Sequence, residues 1–274
     1  MNTAQGMSST QNTTGEFPVI YGICLDAEAI WLGRTPENIH RPVLLSHGAY
    51  EIREGLPPLL DLLDRHLVKA TFFVPGMTAD RYPDAVREIH RRGHELASHG
   101  YAHKPPATLC AEDEKSELLR GMDALAAITG VKPLTWRSPS WEWSDRTLDY
   151  LLHAGVTVSA NFHDRLRPYR HLREGRPLPL VELPVQWHLA DAPYFMYGGQ
   201  IGRVVRTAHD VEMLWREEFD GAYAWPGAYF HLTLHVQLIG HPGRLAMLDR
   251  LTGYIRSQAR ARFVTCEALA ASVP

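Results

Sequence analysis

The feature that most constrains the fold is an alternation that runs the length of the chain. Short apolar runs, each too short to form a long helix, are separated by segments of helical periodicity. Val19–Leu25, Ala70–Val74, His94–Ser98 and Leu134–Arg137 read as strands, followed by Val156–Ser159, Leu180–Gln186, Ala228–Leu234 and a short Phe263–Thr265. Pro57–His66, Thr78–Arg92, Ala111–Thr129, Asp145–His153, Val211–Tyr223 and Arg244–Ala261 read as helices. Proline in the first turn suits the first of these, and Gly130 and Gly155 mark stops. Asp26 to the start of the first helix, with Gly33, Pro36, Pro42 and Gly48, reads as irregular. Strand–helix alternation predicts an α/β fold with a mostly parallel sheet. Seven or eight such units fit a closed (β/α) barrel better than an open sheet, with the chemistry at the C-terminal ends of the strands.

Composition narrows the partners. The chain has 274 residues, with 28 basic and 31 acidic side chains and a formal charge of −3. No basic excess is present to neutralise phosphates, so nucleic acid is not an expected partner. No run of eighteen apolar residues occurs, so no membrane span is expected. Cys24, Cys110 and Cys266 are far apart and form no CxxC pair, which argues against a disulfide framework and against a cysteine zinc cluster. Only four lysines occur (Lys69, Lys104, Lys115 and Lys132), and none sits in a motif that points to Schiff-base chemistry. The opening MNTAQGMSSTQNTTGEF has neither a basic start nor an apolar run. It reads as a disordered leader over residues 1–15 ahead of one domain spanning 16–274, in a cytoplasmic protein. No G-x-S-x-G elbow, Walker A loop or G-x-G-x-x-G fingerprint appears.

Three strand ends carry reactive side chains. Asp26 closes the first strand in Cys24-Leu25-Asp26-Ala27-Glu28. His99 and His103 lie four apart just beyond the third. His235 closes the last long strand in Leu232-Thr233-Leu234-His235. A buried aspartate is costly unless it pairs or binds a metal. One Asp and two His make a ligand set for Zn²⁺ or a similar divalent ion, with positions left for water and substrate.

The segments CLDAEAIWL, LLDLLDRHLVKATFFVPG, RRGHELASHGYAH, RSPSWEWS, VELPVQW and LTLHVQLIG run in order from about Tyr21 to Tyr254. Together they resemble the polysaccharide deacetylase (NodB-homology) superfamily, in particular its peptidoglycan-deacetylase-like and its allantoinase- or cyclic-imidase-like members. The resemblance implies a distorted (β/α) barrel of about seven parallel strands. It implies a metal site at Asp26, His99 and His103, with Zn²⁺ the expected ion, and attack of an activated water on an amide carbon. His235 would then protonate the leaving nitrogen. Arg137, in Arg137-Ser138-Pro139, matches an arginine that orients a catalytic carboxylate in relatives. Asp164, near Pro168-Tyr169, and Asp191 match acidic positions, and both also read as solvated loop acids. Trp141 and Trp143 would line the substrate mouth or belong to the core.

The sequence also departs from the family pattern. Relatives carry a basic Asp one or two residues before the metal Asp, and here Cys24 stands two before. A strand period of two turns Cys24 to the side of Asp26. It reads either as a small buried residue or as a catalytic thiol, with Glu28 or Asp164 as acids that would take over the base role. Glu28, Trp141 and Asp191 are the expected substrate-binding residues. Pro58 and His241 stand where relatives tend to carry arginine. The expected activity is a metal-dependent N-deacetylase acting on a soluble N-acyl sugar or small amide. A ring-opening hydrolase of cyclic imides or ureides and a catalytically decayed binding barrel are the alternatives. A homo-oligomer is expected from Trp225-Pro226 and Tyr194-Phe195-Met196-Tyr197, read as apolar surface.

Overall fold

The computed structural model describes residues 15–197 and 205–274. The expected leader therefore lies outside the described residues, apart from Gly15. Nine strands are present among those residues. β1 is Phe17–Cys24, β2 Thr71–Val74, β3 Glu95–Ser98, β4 Thr135–Trp136 and β5 Val158–Ser159. β6 is Tyr169–Arg173, β7 Arg176–Glu182, β8 Phe230–His235 and β9 Ala261–Phe263. They form one sheet in the order β6-β7-β5-β4-β3-β2-β1-β8, with β9 also against β1. Every pairing is parallel except the β6–β7 hairpin.

Seven parallel strands, β8-β1-β2-β3-β4-β5-β7, thus run side by side. A single backbone bridge, Ala190 to Thr233, ties the segment after β7 back to β8. The sheet closes on itself at that point, in agreement with the expected distorted barrel.

β1 shows how the sequence builds the two layers. Val19, Tyr21 and Ile23 point outward into a core shared with Leu59, Leu63, Trp215 and Leu251 of the surrounding helices. Ile20 and Cys24 point inward with Phe73, Ala97 and Val158. Gly22 lies between these two inward residues. A Cβ there would meet Arg137 Nη2 at 2.8 Å and His231 Nε2 at 2.7 Å, so the absent side chain makes room for a buried polar pair inside the barrel.

Several elements differ from the sequence reading, each for a local reason. The stretch read as irregular is largely helical, at Ala29–Leu32 and Pro42–Tyr50. A π-helical turn, Glu51–Gly55, joins the latter to Leu56–Arg65. Pro42 begins a helix rather than breaking one. The wider turn falls where Pro57 and Pro58 cannot donate to the carbonyls of Arg53 and Glu54. The expected helix Thr78–Arg92 is two, Gly76–Arg81 and Pro83–Arg91, because Tyr82 precedes proline and adopts φ −130°, ψ 55°. The strand expected at Leu180–Gln186 is β7, Arg176–Glu182, and its hairpin partner β6 is not marked in the sequence. The turn between them is Glu174-Gly175, both at positive φ. The final strand ends two residues earlier than expected, at Phe263.

Candidate active site

Ladder bonds bring the reactive residues to one rim. Leu25 N–H donates to Phe73 O, His99 N–H to Val74 O, Arg137 N–H to Ser98 O and Asp191 N–H to Thr233 O. The first three extend a parallel pairing just past a strand's C-terminal end, and the fourth extends the isolated Ala190–Thr233 bridge. The side chains that follow converge on one pocket, lined by Cys24, His99, His103, Arg137, Trp141 and His235 among others.

Asp26 lies behind three of the lining side chains, His99, His103 and His235. It is completely buried, and neither carboxylate oxygen has a hydrogen-bond partner. Oδ1 is 3.8 Å from His99 Nε2 and 3.9 Å from His103 Nε2, and Oδ2 is 4.0 Å from His235 Nε2. These separations are too long for hydrogen bonds. They leave a space ringed by donor atoms, of the kind that an ion bound about 2 Å from each ligand fills. Burial foremost, with the neighbouring thiol of Cys24, pushes the Asp26 carboxyl up to about 6.

The histidines are set by their second nitrogens. His99 Nδ1–H donates to the Arg137 carbonyl at 2.8 Å, so its Nε2 lone pair faces Asp26. His103 is held neutral by burial and by the neighbouring His99, and its Nδ1 has no partner. His103 and Ala27 both adopt positive φ, at 58° and 47°, which turns each loop sharply at the pocket.

Two glutamates hold these loops from behind. Glu51 accepts the backbone N–H groups of Asp26 at 3.0 Å and Ala27 at 2.8 Å. Glu117 accepts those of Tyr101 and Ala102, which lie between His99 and His103, and of Lys104, which follows His103. Thr78 Oγ1–H donates to the Asp26 carbonyl at 2.7 Å. None of the three was anticipated. Glu51 lies in the stretch read as irregular, and nothing in sequence marks Glu117 among the acids of its helix.

His235 closes β8 directly opposite Cys24 of β1 in the parallel register. Its Nδ1 lies 2.6 Å from Asp191 Oδ1. Burial disfavours its charged form, but Asp191 and Cys24 outweigh this and raise it well above the usual histidine range. Burial likewise acts against a thiolate at Cys24, yet His235 and His99 hold that thiol well below its ordinary value. Cys24 Sγ also lies 3.9 Å from Arg137 Nη1.

The structure corrects several role assignments. Arg137 faces no carboxylate within ion-pair distance among the described residues. Its guanidinium donates to Ala160 O, pairs with His231 Nε2 at 2.9 Å and lies over the Phe73 ring, with Cys24 sulfur where a carboxylate was expected. Asp191 orients His235 and is fully buried, rather than standing free for substrate. Glu28 is turned away from the pocket, accepting from Tyr82 Oη at 2.7 Å with Arg81 nearby. Asp164 is exposed and occupied by Tyr169 and Arg165. Neither Glu28 nor Asp164 is placed to replace a base at position 24. Trp141 does form pocket wall, packed against Trp187 with ring centres 4.4 Å apart. Trp143 instead stacks on His171 in the core. Sequence reasoning missed Arg34, which lines the mouth and donates to Ser140 Oγ.

A barrel with an Asp-His-His cluster and an Asp-held histidine on its C-terminal rim defines a class of hydrolase, and comparison with known proteins agrees. Residues 44–159 match the model of the polysaccharide deacetylase family. A structure from Mycobacterium smegmatis described as a polysaccharide deacetylase is 32% identical, with a TM-score of 0.89. The match covers 99% of this chain and 94% of that one. The chain belongs to the polysaccharide deacetylase family. The peptidoglycan deacetylase of Helicobacter pylori is 29% identical over 93% of this chain and 95% of its own. Puue allantoinase shares the fold, with a TM-score of 0.82 at 20% identity, covering 99% of this chain and 97% of its own.

Proposed function

We propose that the protein is a metal-dependent hydrolase of a non-peptide carbon–nitrogen bond, most simply an N-deacetylase of a soluble N-acyl saccharide or small amide. The observation that carries this is the buried Asp26 carboxylate, which faces His99 and His103 with both oxygens unpartnered. Burying such a group is unfavourable without a cation. The donor set suits Zn²⁺, held by Asp26, His99 and His103. When bound, a divalent ion polarises the carbonyl and lowers the pKa of a water.

The chain's own residues supply the rest. His235, kept protonated by Asp191, delivers a proton to the leaving nitrogen, which cannot depart as an anion. Trp141 and Trp187 form an apolar wall that excludes water and offers a flat surface to a sugar ring. Arg137 holds the floor of the pocket and the Cys24 sulfur. A homo-oligomer in the cytoplasm belongs to the same reading, and light scattering tests its first half. The aromatic stretches support it only in part, since Phe195 and Met196 are buried while Trp225 and Tyr197 are exposed.

A second reading, ring opening of a cyclic imide or ureide, is favoured by the residue at position 24. No carboxylate stands there, and an imide has a more electrophilic carbonyl and a better leaving nitrogen, so it demands less of a base. Metal analysis of the purified protein, with turnover assays on N-acetylated saccharides, acylamines and cyclic imides, separates the readings. Metal with acetate release supports the first, and imide opening alone supports the second. A metal-free protein inert to all of these is a binding barrel.

A further inference from the structure

We infer that Cys24 is a fourth protein ligand to the ion, so that the donor set is Cys24 Sγ, Asp26, His99 and His103. This rests on the metal reading above and extends it. It converts a position expected to act on water into one that acts on the ion.

The first argument is placement. Cys24 is the last residue of β1, points inward and lines the pocket, and Asp26 follows two residues later beside the pocket-lining His99, His103 and His235. Cys24, Asp26 and His99 each offer one donor atom, and the three atoms lie within 4.8 Å of one another. Zinc–ligand lengths of about 2.3 Å to sulfur and about 2.0 Å to oxygen or nitrogen allow two donors on one ion to be up to about 4.3 Å apart. For these three, side-chain shifts of about half an ångström close the difference, and His103 joins through Asp26, whose Oδ1 lies 3.9 Å from its Nε2.

The second argument is unmet demand. Both oxygens of the fully buried Asp26 lack partners. They point to a ligand independently of the cysteine. A thiol that already shares their space joins the ion they imply.

The third argument is the company the sulfur keeps. Arg137 Nη1 lies 3.9 Å away, and His235 stands opposite in the strand register. These neighbours favour negative charge on sulfur, and both carboxylates nearest the site are already committed, Glu51 to backbone and Asp191 to His235. Cys266 is as deeply buried but bonds only within the scaffold, its N–H donating to Thr71 Oγ1.

The chemical consequence is selectivity. Two anionic and two neutral donors give a site without net charge around a divalent ion, which would then expand to five-coordinate to take up the water of the proposed reaction. The soft sulfur favours Zn²⁺, Co²⁺ and Cd²⁺ over Mg²⁺ and Mn²⁺.

Cobalt is the probe. The full-length protein, stripped with a chelator and titrated with Co²⁺, is expected to bind one ion per chain. Its spectrum should show an intense sulfur-to-cobalt charge-transfer band in the near-ultraviolet and weaker ligand-field bands in the visible. Cys24→Ser should lose the charge-transfer band and keep the ligand-field bands, while Cys110→Ser and Cys266→Ser should keep both. Ligand-field bands without charge transfer in the parent protein would overturn the Cys24 assignment and leave the metal reading intact. Failure of the parent to bind Co²⁺ at all would sink both. If Cys24→Ser does not fold, ¹¹³Cd resonance of the parent decides. A shift in the range of thiolate-bound cadmium supports the assignment, and one in the range of oxygen and nitrogen ligands alone refutes it.

Discussion

Asp191 grips His235 with both oxygens: Oδ1 lies 2.6 Å from the ring Nδ1 and Oδ2 accepts the His235 backbone N–H at 2.7 Å. One carboxylate therefore fixes the residue's backbone, ring orientation and charge together. His235→Ala is expected to retain metal and fold while losing about 10²–10⁴ in turnover, the usual contribution of a general acid. Full activity in that variant would refute the mechanism.

Asp191→Asn tests the electrostatic half. An acid must carry its proton, and Asp191, working against burial, raises His235 well above the ordinary histidine range. Activity should therefore persist to high pH in the parent and decline on an alkaline limb. With asparagine that limb should move to lower pH. A pH–rate profile with an unmoved limb would show that another group sets it.

His99→Ala and His103→Ala should each lower the metal content of the purified protein. The His99 ring is aimed by the Arg137 carbonyl, so the effect should follow the ring and not the loop. Elemental analysis that finds the parent's metal content in both variants would remove these residues from the ligand set.

Glu51→Ala should weaken metal binding by about 10–100-fold, the usual effect of losing a partner that orients a ligand. Glu51→Gln keeps one acceptor oxygen for the two backbone N–H groups and should fall between. Competition with a chromophoric chelator measures both. Equal affinity in all three proteins would mean the Asp26 loop holds its shape unaided.

His94 predicts an acid sensitivity away from the site. Burial lowers it from 6.5 to about 4, with Lys69 adding to the effect, and its Nδ1 accepts the Ala70 N–H. The unfolded chain takes up this proton before the folded one does. Stability should thus decline as pH falls through about 6.5 and level off below about 4, by at most about 3 kcal/mol. Denaturant titrations of His94→Gln should show a shallower decline over that window than the parent. An identical slope would assign the acid sensitivity elsewhere.

What the sequence discloses depends on whether a residue works through its own strand or through a distant one. Asp26, His99 and His235 were legible because each ends an apolar run, His103 because it lies four residues beyond His99, and parallel strands share a rim. Cys24 was legible as inward-facing from strand period alone. Glu51 and Glu117 were not, because their partners are backbone N–H groups on other segments, which leave no pattern in side-chain order. Asp191 was found but misjudged, since its task is set by a bridge between Ala190 and Thr233 that local sequence does not encode. Glu28 and Asp164 were nominated for acidity alone. Tyr82 engages the first, and Tyr169 with Arg165 engages the second.

The carboxylates of Glu51, Glu117 and Asp191 grasp main chain beneath the loops that bear Asp26, His99–His103 and His235. Apart from the Asp191 bond to the His235 ring, their grip does not depend on which side chain the loop presents above. A barrel built this way separates the inheritance of a loop's path from the inheritance of its chemistry. Exchange of one reactive residue, such as the cysteine at position 24, leaves the neighbouring loops in place. The rim is thus a socket in which new reactivity can be tried without first rebuilding the fold.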